Sequence, residues 1–229
     1  MAVLSEGDLL AHLGAAFPAA GPMTVAALRG AIHRRAFRPG ETVAHAAPDR
    51  RWSDYLVIEG QVAVLQSADD GRQAVLYVGA PGRFFGLPPE DVLPSPLTLV
   101  GLTAGAVAAW SDEDIAPLAR SDAGFAADLL SHASLWIMAL IRRVEVMTFD
   151  SALQRLATTF LDHGDLTLDA AHPALTRPQL AVVLGASREM TSRVITQLEA
   201  TGAIARVGRS GIVLLDLERL RQAARHAED

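Results

Sequence analysis

The spacing of apolar residues changes several times along the chain. From Met1 to about Arg34 it is helical, most clearly in GDLLAHLGAAF and TVAALRGAI. After Arg35 the run FRPGETVAHAAPDRRWSDYLVIEGQVAVLQSADDGRQAVLYVGAPGRFFG breaks into short β-type segments such as YLVIEGQVAVLQ and QAVLYVG. The turn signals Pro39-Gly40, Glu59-Gly60, Asp70-Gly71 and Pro81-Gly82 punctuate it. Short strands this close together predict an antiparallel barrel or jelly roll, completed by LTLVGLTAGAVAAW. Residues 1–120 form this first domain, and the fold class is α+β.

A helix is predicted from roughly Ser121 to Thr148, so that residues 121–149 form a second segment. Leu130, Ala133, Ile137, Leu140, Val144 and Met147 are separated by 3, 4, 3, 4 and 3 residues, the spacing of a coiled-coil seam. The seam fits either a helix laid on its own barrel or a two-fold contact between copies of the chain. Trp136 and Leu129 lie beside it and can face the barrel, which favours the two-fold contact. Asp128, Ser131, His132 and Ser134 interrupt the apolar run, and no membrane span is expected.

Residues 150–229 form the third segment. After a helical DSALQRLATTFLDHG and a polar DLTLDAAHPA comes LTRPQLAVVLGASREMTSRVITQLEATGAIARVGRSGIVLLDLERL. Thr176 with Gln179 three residues later is a capping box, so a short helix runs through LAVVLG and stops at Gly185. Ser187 caps a second helix that continues to about Ala200. Thr191, Val194, Ile195 and Leu198 share one face of it, while Arg188, Glu189, Ser192 and Arg193 share another. Two helices across a three-residue glycine turn make a helix-turn-helix, whose second helix enters the major groove of double-stranded DNA by its N-terminal turns. There arginine matches guanine O6 and N7, and glutamate accepts from cytosine N4. AIARVGRSGIVLL then reads as a β-hairpin wing whose tip residue Arg209 reaches phosphate.

Charge sharpens this division. The chain has 229 residues, 50% of them hydrophobic, and a net charge of −6. Of its 20 basic residues nine lie from Ser151 onward, against nine of the 26 acidic ones, so the first 150 residues carry the whole deficit. All the basic side chains are arginine, the residue suited to forked contacts with phosphate and guanine, although genome composition explains the absence of lysine equally well. The absence of cysteine excludes disulfides, thiolate zinc sites, cysteine nucleophiles and cysteine-ligated iron–sulfur clusters. The N-terminus has no basic region before its apolar residues, so it does not read as a secretory signal, and a cytoplasmic protein is expected.

LTRPQLAVVLGASREMTSRVITQLEATGAI resembles the DNA-binding signature of the Crp/Fnr family of bacterial transcription regulators, and the likeness extends over nearly the whole chain. It implies a cyclic-nucleotide-binding-like β-roll, a long dimerisation helix and a C-terminal winged helix-turn-helix. It further implies a homodimer and RNA polymerase as a partner. By this resemblance Arg188, Glu189 and Arg193 read bases, Ser192 does so as in the Fnr-like branch, and Thr176, Arg177 and Ser187 contact phosphate. Met190 departs from the threonine frequent at its place. The resemblance also implies TGA in each half of an inverted-repeat operator.

The sensory region departs further. Nucleotide-binding members carry a glycine-glutamate pair for the ribose and, some ten residues later, an arginine for the cyclic phosphate. In GRFFGLPPEDVLPSPLTLVG, Gly86 is present, Leu87 stands where glutamate is needed, and no arginine occurs between Arg83 and Arg120. A buried phosphate without its cation is costly, so cAMP and cGMP are not expected as effectors. Pro88, Pro89 and Pro94 fit a degenerate loop as well as a remodelled pocket. Some relatives use haem, and His33, His45 and His132 are available, but a lone histidine is more often packed or exposed than a ligand.

Two rival classes remain. A cupin-like metal enzyme would need closely spaced histidines with a carboxylate, whereas His12, His33, His45, His132, His163, His172 and His226 are scattered. No P-loop, G-x-S-x-G elbow or H-E-x-x-H helix occurs either, so no enzyme is expected. A scaffold that had lost DNA binding would have no need of the set Arg188, Glu189 and Arg193.

Overall fold

The computed structural model describes residues 6–45, 53–67, 73–87, 97–162, 177–207 and 211–225. Thr176, Arg209, the three prolines of the sensory loop, His163, His172 and His226 lie outside them, as does the side chain of Arg177. The chain forms two compact units, Met1–Gly71 with Leu76–Leu140, and Arg72–Val75 with Ile141–Asp229.

The first unit opens with α1 (Glu6–Ala16) and α2 (Pro22–Ala31). Eight strands follow: β1 (His33–Phe37), β2 (Thr42–His45), β3 (Asp54–Glu59), β4 (Val62–Ser67), β5 (Gln73–Gly79), β6 (Phe84–Gly86), β7 (Leu97–Gly101) and β8 (Gly105–Trp110). They make two four-stranded sheets, ordered β1-β8-β3-β6 and β2-β7-β4-β5, with antiparallel pairing of β8 to β1 and β3, and of β7 to β2 and β4. The run YLVI in β3 lacks alternation because both its faces are covered. Tyr55 and Val57 pack with Val64, Phe85, Leu87 and Leu99, whereas Leu56 and Ile58 join Leu13, Phe17, Phe84 and Trp110. The Trp110 indole N–H donates to Leu28 O at 2.8 Å in that second cluster.

The helical reading up to Arg34 runs too far. His33, Arg34 and Arg35 belong to β1, paired with Ala109, Ala108 and Val107. Four exposed residues in succession give no alternation to read, and backbone pairing to β8 decides their state.

The long helix also starts later than expected. Ser111 caps α3 (Asp112–Ser121) in a reciprocal box with Asp114, and α4 runs Ala123–Phe149. Between them Asp122 accepts from Gly21 N at 2.8 Å, Thr24 Oγ1 at 2.6 Å and Phe125 N at 3.1 Å. These bonds, Thr24 foremost, hold its carboxyl at about 2. By length and composition alone α4 is apolar enough to cross a bilayer, contrary to the expectation that its polar residues interrupt the run. Ser131 and Ser134 do not break it because their hydroxyls donate back to Ala127 O and Leu130 O. Asp128 is buried and accepts from Ala19 N at 2.9 Å, which ties this half of α4 to the first unit. The two units divide inside α4, after Leu140.

In the second unit, α5 (Ala152–Asp162), α6 (Arg177–Leu184), α7 (Arg188–Ala200), β9 (Ile204–Val207), β10 (Gly211–Leu214) and α8 (Leu217–Ala224) follow the end of α4. Leu156, Phe160, Leu184, Val194, Ile195, Leu198, Ile204 and Leu220 form its core. The helix α8 was not expected from the sequence, although Asp216 signals it by accepting from Glu218 N and Arg219 N as N-cap.

Candidate nucleic-acid interface

The turn between α6 and α7 is fixed by Gly185, whose φ of +62° favours glycine. A side chain there would also meet the Met147 thioether, 3.1 Å from the site of a Cβ. Ala186 N donates back to Ala181 O at 3.0 Å and closes α6.

Ser187 then takes an extended conformation, and its hydroxyl accepts from Met190 N at 3.1 Å. Thr191, Val194, Ile195 and Leu198 are buried, and Thr191 satisfies its hydroxyl by donating to Ser187 O. Burial of that stripe in the core turns Arg188, Glu189, Ser192 and Arg193 outward, and all four are exposed. The Glu189 carboxyl lies below the usual carboxylate range, held first by its own backbone N–H, then by the Ser187 hydroxyl and the Arg188 charge. The proton of Ser187 is thus directed at Glu189. The outward face offers two guanidinium forks around an ionised acceptor at the positive end of a helix.

The wing strands β9 and β10 pair antiparallel, with Val207 opposite Gly211 and Ile204 opposite Leu214. The sequence reading missed Arg206 and Thr196. The Arg206 guanidinium donates to Thr196 Oγ1 and pairs with Glu199 at 3.3 Å, while its backbone N–H donates to Glu199 Oε1 at 3.2 Å. The wing is therefore bound to the outer side of α7. The signal was present: Thr196 lies four residues after Ser192, on the same helical face.

The six seam positions of α4 divide by exposure. Leu130, Ile137 and Val144 are 69%, 56% and 64% exposed, Ala133 is exposed, and Leu140 and Met147 are half-buried. The open apolar stripe is broader than the seam, since Met138 and Ile141 are exposed as well. Leu129 packs in the first unit's outer cluster, and Trp136 meets the Tyr77 ring edge-on at 6.2 Å. Of the histidines considered for haem, His33 is exposed, His45 Nδ1 lies 3.3 Å from Thr98 Oγ1, and His132 Nε2 donates to Ala16 O at 2.8 Å.

A β-roll, a long helix with an open apolar face and a winged helix-turn-helix with a polar groove-sized helix together define a DNA-binding regulator. Residues 154–223 match the Crp-like helix-turn-helix domain. The CRP-like cAMP-activated global transcriptional regulator of Mycobacterium tuberculosis is 30% identical over 235 residues, covering 95% of this chain and 99% of its own. The transcriptional regulator SdrP of Thermus thermophilus is 28% identical over 200 residues, 82% of this chain and 92% of that one. FixK2 from Bradyrhizobium japonicum has the same fold, with a TM-score of 0.69 at 22% identity, over 86% of this chain and 98% of its own. The chain belongs to the Crp/Fnr family of transcriptional regulators.

Proposed function

We propose that the chain acts as a homodimer that reads an inverted-repeat operator through α7 and recruits or blocks RNA polymerase in the cytoplasm, without enzymatic activity of its own. The observation that carries this reading is the division of α7 into a fully buried apolar stripe and an exposed set of Arg188, Glu189, Ser192 and Arg193. Arginine takes guanine O6 and N7, Glu189 takes a cytosine N4 of the complementary strand, and Thr176, Arg177, Ser187 and Arg209 set the register on phosphates. Dimerisation covers the exposed stripe of α4, which supports a second copy rather than a membrane as its partner. Two copies of α7 then lie roughly 34 Å apart, one DNA turn.

The M. tuberculosis relative is named as cAMP-activated. In this chain Leu87 is buried among Tyr55, Phe85, Leu97 and Leu99 inside the barrel. An apolar side chain there does not fit a ribose, and a phosphate beside it would lack its cation. The β-roll therefore responds, if to a ligand, to one other than cAMP or cGMP, and neither haem nor a metal is required by the reading. Calorimetry with either nucleotide is expected to give no saturable heat at micromolar concentration.

The deciding experiment is selection of double-stranded DNA by the purified protein from a random pool. An inverted repeat with TGA half-sites one turn apart is the expected result. Recovery of fragments without two-fold symmetry would remove α7 as the reader.

A further inference from the structure

The first unit contains a cleft of about 240 Å³ at the β6 edge, closed by α3 and the first half of α4. Its walls are mainly apolar, with Phe84, Phe85, Ile115 and Leu129 among the lining residues, and three polar side chains line it: Asp54, His132 and Trp136. The Trp136 indole N–H is buried and has no acceptor among the described residues. Buried donors are normally paired, so this one is open to an acceptor that the described residues do not supply. His132 has its Nε2 proton committed to Ala16 O, which leaves Nδ1 as an acceptor in the neutral ring. Asp54 takes the Ser53 hydroxyl at 2.7 Å on Oδ2, and its Oδ1 lies against Gly86, 2.9 Å from where a Cβ would stand. Glycine at 86 is thus what lets the carboxylate reach this end of β6.

These groups restrict what fits. A carboxylate and the lack of any arginine among the described lining residues disfavour an anion. Apolar cavities of roughly 150 Å³ accept benzene, so this cleft has room for one fused two-ring system. We propose that the cleft binds a small, uncharged, planar heteroaromatic that carries both a hydrogen-bond donor and an acceptor. The acceptor takes the Trp136 N–H, the donor faces Asp54, and the rings lie between Phe84 and Leu129. This goes beyond the operator assignment and does not rest on it.

Benzimidazole, which has one donor and one acceptor nitrogen, is the probe. Calorimetry and ligand-observed NMR on the full chain without DNA are expected to give saturable binding of one molecule per chain. Indole, a donor without the acceptor, binds about fivefold to tenfold more weakly, the usual effect of one hydrogen bond. Benzoate does not bind. Trp136→Phe keeps an aromatic ring but removes the N–H and weakens benzimidazole by at least about the same factor, whereas Ala133→Leu fills the cleft and abolishes binding. Circular dichroism establishes that each variant is folded, and Leu10→Ala, outside the cleft, serves as a control that binds normally. Absence of saturable binding at millimolar benzimidazole overturns the proposal, as does unchanged affinity in both folded variants. Because no DNA is present, either result leaves the operator selection to stand or fall separately.

Discussion

The α4 and α7 helices each keep a face away from the cores, and the two faces have opposite chemistry. On α4 the open face is Leu130, Ile137, Met138, Ile141 and Val144; on α7 it is Arg188, Glu189, Ser192 and Arg193. Exposure alone therefore says little about function. An open apolar stripe gains free energy by leaving water at roughly 25 cal/mol per Å², so it seeks another apolar surface. An open set of forked donors loses nothing in water and gains only where its geometry is matched, as at a guanine edge. On the proposed function, the first kind of face provides affinity for a copy of the chain, and the second provides selectivity.

The largest effect is expected from the apolar face. Ile137→Glu combined with Val144→Glu places charge on two exposed positions, while Leu140, half-buried, is left alone so that the fold is not disturbed. Sedimentation should show monomers, and operator affinity should fall by about 10²–10⁴-fold because each monomer holds a single half-site. A variant that remains dimeric would mean that another surface makes the contact.

The next test breaks α7 from its buried side. Leu198 is fully buried in the core of the second unit, and Leu198→Ala is expected to cost about 2–5 kcal/mol of stability. Urea unfolding measures it. Arg193→Ala, on the opposite face, should leave the unfolding midpoint almost unchanged and instead remove about 1–3 kcal/mol of discrimination at one base pair, read by selection from a random operator pool. If Arg193→Ala weakened all sequences equally, it would be a phosphate contact.

How far the sequence revealed these faces follows from the same chemistry. On α7 the cap Ser187, the turn glycine and the 3,4 spacing of Thr191, Val194, Ile195 and Leu198 are local signals, and local signals survive without tertiary knowledge. In α4 the seam spacing was legible, but its sharing out was not. Ala133 lines a cleft and Met147 packs against Gly185, because neighbouring elements, invisible to periodicity, claim those positions. β1 was hidden for a similar reason: an edge strand with His33, Arg34 and Arg35 exposed is held by backbone pairing to β8, and its side chains carry no alternation. Arg206 was overlooked because its partners Thr196 and Glu199 lie on another element.

A smaller effect is expected at the cap. Ser187→Ala removes the acceptor for Met190 N and the hydroxyl donor to Glu189, at a cost of about 0.5–2 kcal/mol in stability. Thermal unfolding measures it. Ser187→Asp, which keeps the cap but introduces a charge beside Glu189, separates the two roles. It should restore most of the stability yet weaken DNA binding, because a second carboxylate at the helix N-terminus repels phosphate.

The smallest expected effect concerns pH. The Glu189 carboxyl is held below its ordinary range by its own backbone N–H, by Ser187 and by Arg188, so the charged form persists as pH falls through the usual carboxylate pKa and is lost only below it. A depressed folded-state pKa means that the acceptor is present throughout the neutral and mildly acidic range. Base preference at the pair read by Glu189 should accordingly stay constant from about pH 8 to pH 5.5, well above the ordinary carboxylate value. Glu189→Gln provides the contrast, since an amide both donates and accepts and can turn toward adenine, shifting the preference at every pH. Competition between two operators differing only at that base pair, measured across the pH series, tests both statements. A preference that declines between pH 7 and pH 6 would place the titrating group elsewhere, on a histidine, and leave the Glu189 acceptor without its proposed role.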